Sequence, residues 1–443
     1  MAIQLSDHFT YKRLLRFTFP SIVMMLFTSI YSVVDGLFIS NYVGETAFAA
    51  INLIFPYCMI FSALGSLFGV GGSALVAMVK GQGDDEKGNR IFSMLVVVMI
   101  VLGFILMGLA QLFLPAAARL FRATDAMYDT CILYGRIFMA TLPAFLLQYG
   151  FHSFMITAEK PKLGLAFTVA AGVVNMILDW LFVAVFRWGV AGAAAATCIG
   201  QCVGGIGPLL YFLFKRDGTL KLVKPAFMPR ELLRSASNGM ADCITNVAMS
   251  LVNMVFNLQL MKYLGEYGVA AFGIIMYVNF VFVAVYLGYS MGVAPVISYH
   301  FGAGNREELR GLFKKSMLMV AVASLALTAL ALATARPVAS VFAGYDPAFL
   351  DISVRALRLY SLSYFLAGFN MFSSNLFAAL NNGPVSGLLS GLRIFVFQIA
   401  AVLLLPLAFG SDGIWLAMLA AELCVLAVTV AVLAKYRGRY GYV

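Results

Sequence analysis

Two aspartates stand where ionisable residues are rare. Asp35 follows Val34 and precedes Gly36, and Asp179 closes the run from Asn175, each inside a long apolar stretch. A carboxylate at the centre of a membrane-crossing helix costs roughly 2.5–3.5 kcal/mol even on a lenient insertion scale, so its retention asks for a chemical reason. Asn175 and Asp179 are four residues apart and so share one helix face, and Thr197 and Gln201 repeat that spacing on the next apolar stretch. Carboxylate, amide and hydroxyl oxygens gathered from three helices suit a hard monovalent cation or a shared proton. Two carboxylates held close in a low-dielectric interior cannot both stay ionised cheaply, so the pair is expected to hold one proton or one cation between them.

Other chemistries find no such grouping. The six cysteines, at 58, 131, 198, 202, 243 and 424, fall in or near apolar stretches; Cys198 and Cys202 share a helix face but have no further thiol or histidine at ligand spacing, so they read as small apolar filler. His8, His152 and His300 are scattered, and no nucleophile, base and acid come together, so no enzyme activity is expected. Gly69, Gly71, Gly72 and Ala74 fit a loose dinucleotide fingerprint. They lie within an apolar stretch with no strand before them, which fits close helix packing better.

The elements that must carry the polar residues are set by composition. With 62% hydrophobic and 11% charged residues and a mean hydropathy of +0.93, the 443-residue chain has too little polar surface for a soluble globule. Apolar segments of about 20 residues, the length that crosses a hydrocarbon core, recur throughout. Twelve are read, near 14–38, 48–78, 91–114, 131–156, 163–186, 190–214, 235–262, 267–299, 314–335, 354–379, 385–409 and 413–434. Lacking period-2 alternation, they predict helices rather than barrel strands. Asp7, His8, Lys12 and Arg13 make the first residues too polar for a cleavable signal, so Met1 is expected to stay. Most of the 30 Lys and Arg fall in the termini and the even-numbered connections, which places both termini in the cytoplasm of a multi-pass protein of the inner membrane. The net charge of +10 is then a topology signal, and no nucleic-acid partner is expected.

The chain is also doubled. At a spacing of 221 residues Gly44 and Glu45 fall on Gly265 and Glu266, Gly71 on Gly292, Gly81 and Gly83 on Gly302 and Gly304, Phe151 on Phe372, and Gly192 on Gly413. Six spans per half make the repeats parallel, related by a pseudo-two-fold axis along the membrane normal. The expected lobes are 1–214 and 235–443, joined by a charged, Pro- and Gly-containing cytoplasmic linker at 215–234. The doubling fails at the polar site: Asp35, Asn175, Asp179 and Thr197 fall on Phe256, Val396, Ala400 and Met418.

Pro20 with Val34 and Asp35, the Gly81 to Asp84 turn, Asn175 with Asp179, and Gly192 with Thr197 and Gln201 together resemble the multidrug and toxic compound extrusion family, closest to its prokaryotic branch. The resemblance covers the whole chain. It implies antiport, in which a cationic or amphipathic organic substrate leaves the cell while protons or sodium enter. It also implies that Asp35, Asn175, Asp179 and Thr197 form the cation-coupling site, with sodium as an alternative occupant to the proton, and that Pro20 bends the first helix. The second half departs from relatives that carry acids in helices seven, eight or ten, offering mainly Asn253, Asn257, Asn279 and Asn370.

Polar tips on apolar walls mark a candidate substrate cavity: Tyr57, Gln148, Gln201, Tyr277, Asn370, Gln398 and Glu422, where Glu422 has Arg393 as an alternative partner. Met, at 23 residues, and Phe, at 38, suit a promiscuous site as well as ordinary packing. The expectation is a monomeric transporter among membrane lipids with no cofactor beyond the coupling ion, working by alternating access. A lipid-linked oligosaccharide flippase of the same superfamily is the alternative, with only Arg136, Arg355, Arg358 and Arg393 to supply a basic cavity. A membrane receptor or enzyme is disfavoured by the lack of a soluble domain.

Overall fold

The computed structural model describes residues 3–442 other than Gly44, Arg122, Arg216, Asp217 and Tyr345; the turn expected at Gly44 and the linker's Arg216 and Asp217 therefore lie outside the described residues. Among the described residues the chain forms helices and no strand. In order these are α1 (Tyr11–Tyr42), α2 (Glu45–Gly81), α3 (Asp85–Leu120), α4 (Asp125–Ala140), α5 (Leu142–Thr157), α6 (Pro161–Asp179), α7 (Gly189–Phe214), α8 (Pro229–Gly302), α9 (Arg306–Ala343), α10 (Pro347–Ser361), α11 (Tyr364–Ala379), α12 (Gly383–Gly391), α13 (Ile399–Phe409) and α14 (Ser411–Tyr440). Two π-helical stretches, Trp180–Val185 after α6 and Leu392–Gln398 between α12 and α13, continue their helices with a wider turn. α8 breaks at Gly265, where φ is 62° and ψ −149°, into the arms Pro229–Gly265 and Tyr267–Gly302.

Among the described residues ten helical stretches are long and apolar enough to cross a membrane, and the α4–α5 pair, bent by 57°, makes an eleventh. The span expected at 354–379 is divided between α10 and α11, and α10 carries Asp351, Arg355 and Arg358, which lower its hydropathy. The helix expected from 235 begins earlier, at Pro229, because that proline suits a first helical turn.

Helix bounds recur at the spacing of 221 residues, and so do their caps. Asp84 accepts a hydrogen bond from the Lys87 amide at 2.9 Å at the start of α3, and Asn305 accepts one from Glu308 at 3.1 Å at the start of α9. Each cap follows a glycine of positive φ, Gly83 at 85° and Gly304 at 68°, a conformation that a side chain would strain. Acidic residues fill both first turns, where they face the positive end of the helix dipole.

The most extensive helix contact is between α2 and α8, which joins the first half of the chain to the second. It is a backbone seam. A Cβ on Gly81 would overlap the Tyr299 carbonyl, and one on Gly302 would overlap the Met78 carbonyl, a reciprocal pair at matched positions that only glycine permits. The seam lies at the end of the bundle that carries both termini, since Leu5, Phe9, Tyr440 and Tyr442 pack in one buried cluster there. The N-terminal segment straps the halves together: the Leu5 amide donates to Glu159 at 2.7 Å, the Phe9 amide to Glu308 at 2.8 Å, and His8 Nδ1 lies 2.5 Å from Glu308. The connection before α8 is fastened too, with the Lys221 amide donating to Asn89 at 3.0 Å and the Val223 amide to Ser93 at 2.8 Å.

Candidate functional site

α1, α6 and α7 bring the first-half polar residues together because small residues let them approach. A Cβ on Gly172 of α6 would meet Phe27 of α1 at 2.5 Å and Tyr31 at 3.0 Å, and one on Gly200 of α7 would meet Asn175 at 3.0 Å. Tyr31 is one turn before Asp35, and Asn175 one turn before Asp179. The carboxyl groups of Asp35 and Asp179 consequently come close enough to act on each other electrostatically, without a hydrogen bond between them. α6 and α7 run antiparallel, with Gly192 against Phe182 and Gly200 against Asn175, so Thr197 lies level with Asp179.

Asp179 is fully buried and Asn175 nearly so. Asp35 Oδ1, both Asp179 carboxyl oxygens and both ends of the Asn175 amide have no hydrogen-bond partner among the described residues, although the Asn175 amide stands beside Asp179. Thr197 Oγ1 donates its proton to the Ala193 carbonyl at 3.0 Å, which leaves its lone pairs free to accept. An orphaned buried polar atom costs about 1–3 kcal/mol, and more when charged. This donor set of hard oxygens, converging from α1 and α6 with Thr197 alongside, fits a proton or a small monovalent cation. Asp179 is also the last α-helical residue before the π turn at Trp180–Val185, a local widening that is frequent at functional sites. Among the described residues no group of three or more His, Cys, Asp or Glu side chains has metal-holding geometry.

The matching region of the second half is a closed network. Arg393 Nε and Nη2 donate to Glu422 Oε1 at 2.8 and 2.6 Å, and Asn370 Nδ2 donates to Glu422 Oε2 at 2.7 Å. Glu422 is fully buried and takes the partner foreseen as the alternative to a cavity role.

The remaining residues scatter. α1 passes through Pro20 as one helix. The Tyr57 hydroxyl donates to the Ala110 carbonyl at 2.7 Å, inside the packing of α2 against α3. Gln201 accepts from Thr141 at 2.8 Å, at the bend between α4 and α5. Gln148 is buried against Gly204, Gln398 is buried at the end of the second π turn, and Tyr277 is 45% exposed and stacks on Phe342.

Three residues near these surfaces escape sequence reasoning. The Tyr134 ring of α4 lies within electrostatic reach of both Asp35 and Asp179, and Tyr31 approaches Asp35 along α1. Asp242, in the first arm of α8, is an acid that the reading of helices seven, eight and ten passed over. Its signal was present: Asp242 and Asn246 have the same four-residue spacing as Asn175 and Asp179.

A family model, MatE, matches residues 20–181 and 242–404. The multidrug export protein MepA of Staphylococcus haemolyticus (strain JCSC1435) is 24% identical over 416 residues, covering 94% of this chain and 91% of the relative. The protein of the same name from Staphylococcus aureus (strain MRSA252) is 24% identical over 424 residues, covering 95% and 93%. Among solved structures, an outward-facing multidrug resistance MATE transporter of the MOP superfamily superposes with a TM-score of 0.90 at 23% identity, covering 100% of this chain and 99% of that one. A MATE in a straight conformation gives 0.92 at 21% identity with 98% of each chain covered. At these identities the structures establish a shared fold.

Proposed function

Because the chain belongs to the MatE family, we propose that it is a secondary active multidrug exporter of the cytoplasmic membrane, moving cationic or amphipathic organic compounds outward in exchange for protons or sodium. Twelve spans form two parallel lobes, 1–214 and 235–443, joined at 215–234, with both termini cytoplasmic and the chain working as a monomer. The MepA relatives, matched over nearly their whole length, support the export reading.

The observation that carries the coupling assignment is the contrast between the halves. In the first, Asp35 Oδ1 and the side-chain polar atoms of Asn175 and Asp179 have no partner among the described residues; in the second, Glu422 is neutralised by Arg393 and Asn370. An acid already paired with a guanidinium has no charge to offer an incoming ion. The unpaired set does, and a proton or sodium ion entering it replaces carboxylate repulsion with shared binding. The same event alters what α1 meets at α6, and α1 carries Pro20, whose missing amide weakens the helix there. Coupling requires ion and drug to favour opposite arrangements of the lobes, so that each lowers the other's affinity.

The test is efflux from proteoliposomes with one gradient imposed at a time. Asp35→Asn and Asp179→Asn, each inserted and monodisperse, are expected to lose gradient-driven efflux, while conservative changes at the matched Phe256 and Ala400 have a far smaller effect. Wild-type transport in either aspartate variant overturns the assignment. The proton is the favoured coupling ion because the second half supplies no comparable unpaired set; efflux that persists in sodium-free buffer under a pH gradient supports it, and efflux that needs sodium and ignores the pH gradient refutes it.

A further inference from the structure

The spacing of 221 residues also relates how the halves are tied together at the end that carries the termini. Lys87 of α3 and Glu308 of α9 are matched positions. Each grips the segment that leads into the other half. Lys87 Nζ lies 3.1 Å from Glu231 in the first turn of α8, while Glu308 accepts the Phe9 amide at 2.8 Å and stands 2.5 Å from His8 Nδ1. The two grips carry opposite charges, so the leading segments cannot trade places.

The segments differ in what they must do if the halves separate at this end. The stretch before α8 already joins one half to the other, so it can stay on α3, where Asn89 and Ser93 hold the Lys221 and Val223 amides, whatever the lobes do. The N-terminal segment instead runs from the first half to the second and back. Its Leu5 amide donates to Glu159, in the turn between α5 and α6, at 2.7 Å; Phe9 sits on α9; and the chain then re-enters the first half as α1. Four residues lead from Leu5 to Phe9, a reach of at most ~14 Å. The halves cannot move far apart here while both contacts hold.

The seat on the second half is the firmer of the two. Phe9 is 0% exposed, shares a buried cluster with Val296, Ile297 and Leu312, and meets the His300 ring edge-on at 6.4 Å. Lys315 Nζ donates to the Phe9 carbonyl as well. Ahead of α1, the hydrogen bond to Glu159 is what ties the segment to the first half among the described residues. We propose that residues 3–10 are a releasable latch on the end that faces the cytoplasm, seated on α9 through Phe9 and closed by the contact of Leu5 with Glu159, which breaks before that end opens. The latch rests on the exporter reading for what its opening serves. It touches neither the Asp35–Asp179 pocket nor a substrate, and it sets how often the closed form opens.

The test is thiol labelling of the full-length chain in detergent with no gradient, read at residue 235 by mass spectrometry in a Ser235→Cys parent. Ser235 is fully buried in the seam, against Gly71. Glu159→Ala is expected to raise the labelling rate about tenfold, the shift in population that losing one hydrogen bond to a charged group gives. Glu159→Gln, whose amide oxygen still accepts from Leu5, should keep the parent's rate, and Phe9→Ala, which empties the seat, should raise it. A Ser353→Cys reporter, buried in α10 beyond the far end of α9, should label at its own parent's rate in every variant, which separates release of the latch from general loosening. A rate at residue 235 that Glu159→Ala leaves unchanged, or an equal rise at residue 353, overturns the latch while leaving the exporter reading standing. The expected rise in a chain whose wild type shows no gradient-driven efflux supports the latch and overturns the exporter reading.

Discussion

At the scale of single residues, the same type of side chain is given opposite tasks by its neighbours. Glu422 is 0% exposed and Arg393 13%, and their pairing is bidentate from the guanidinium to one oxygen. Removing one member of a buried pair leaves an uncompensated charge and costs about 3–5 kcal/mol, whereas removing both charges is far milder. Arg393→Ala is therefore expected to lower thermal stability in detergent strongly, and Arg393→Ala with Glu422→Gln to recover most of it. Equal destabilisation by the single and double changes would show that the pair does not hold the second half together. Asp35 and Asp179 should behave in the reverse sense, with Asp179→Asn lowering transport while stability stays level or rises, because it removes a buried repulsion.

At the scale of elements, the helix starts show how capping sets pH sensitivity. Asp346 caps α10, and its carboxyl is held below the usual carboxylate range first by the Tyr267 hydroxyl, at 2.5 Å, and then by the Phe349 and Ala348 amides. A depressed value contributes stability that is present above the unfolded carboxylate's range and is lost as pH falls through the folded one. The protection of the amides at the start of α10, with the intrinsic pH dependence of exchange divided out, should thus be constant from neutral pH down to about pH 4 and fall only below it. Tyr267→Phe should move that onset to higher pH. An onset that Tyr267→Phe leaves in place would assign the effect to the backbone amides alone. The bends at Thr141 and at Leu362–Ser363 fall at matched positions of the two halves, so each half carries a broken helix beside its polar network.

At the scale of the whole molecule, the seam at the terminal end is the contact that must part if the halves rock. Ser235 is fully buried there, against Gly71. A bulky side chain at Gly302 would strike the Met78 carbonyl and hold the seam open. In a chain carrying Ser235→Cys as the reporter, Gly302→Leu is expected to raise the rate of thiol labelling at least tenfold. Labelling that stays at the background rate would mean that the seam yields elsewhere, through the N-terminal strap at Glu159 and Glu308.

Sequence alone determined the properties that depend on local pattern. Apolar runs longer than a bilayer's width dictate helices, the 221-residue spacing dictates that bounds and caps recur, and four-residue spacing puts Asn175 and Asp179 on one face. What the tertiary structure decided are the partners, because they are set by which helices approach closely enough to meet. Gly172 brings α1 onto α6 and so joins Asp35 to Asp179; Arg393 reaches Glu422 across 29 residues; the Tyr57 hydroxyl goes to Ala110 and Gln201 to Thr141. Asp242 shows the boundary between the two. Its four-residue spacing to Asn246 was legible, but its place beside the seam, with Asn246 reaching the Tyr149 hydroxyl at 3.4 Å, comes from the packing of α8 against α2 and α5, which no local pattern encodes.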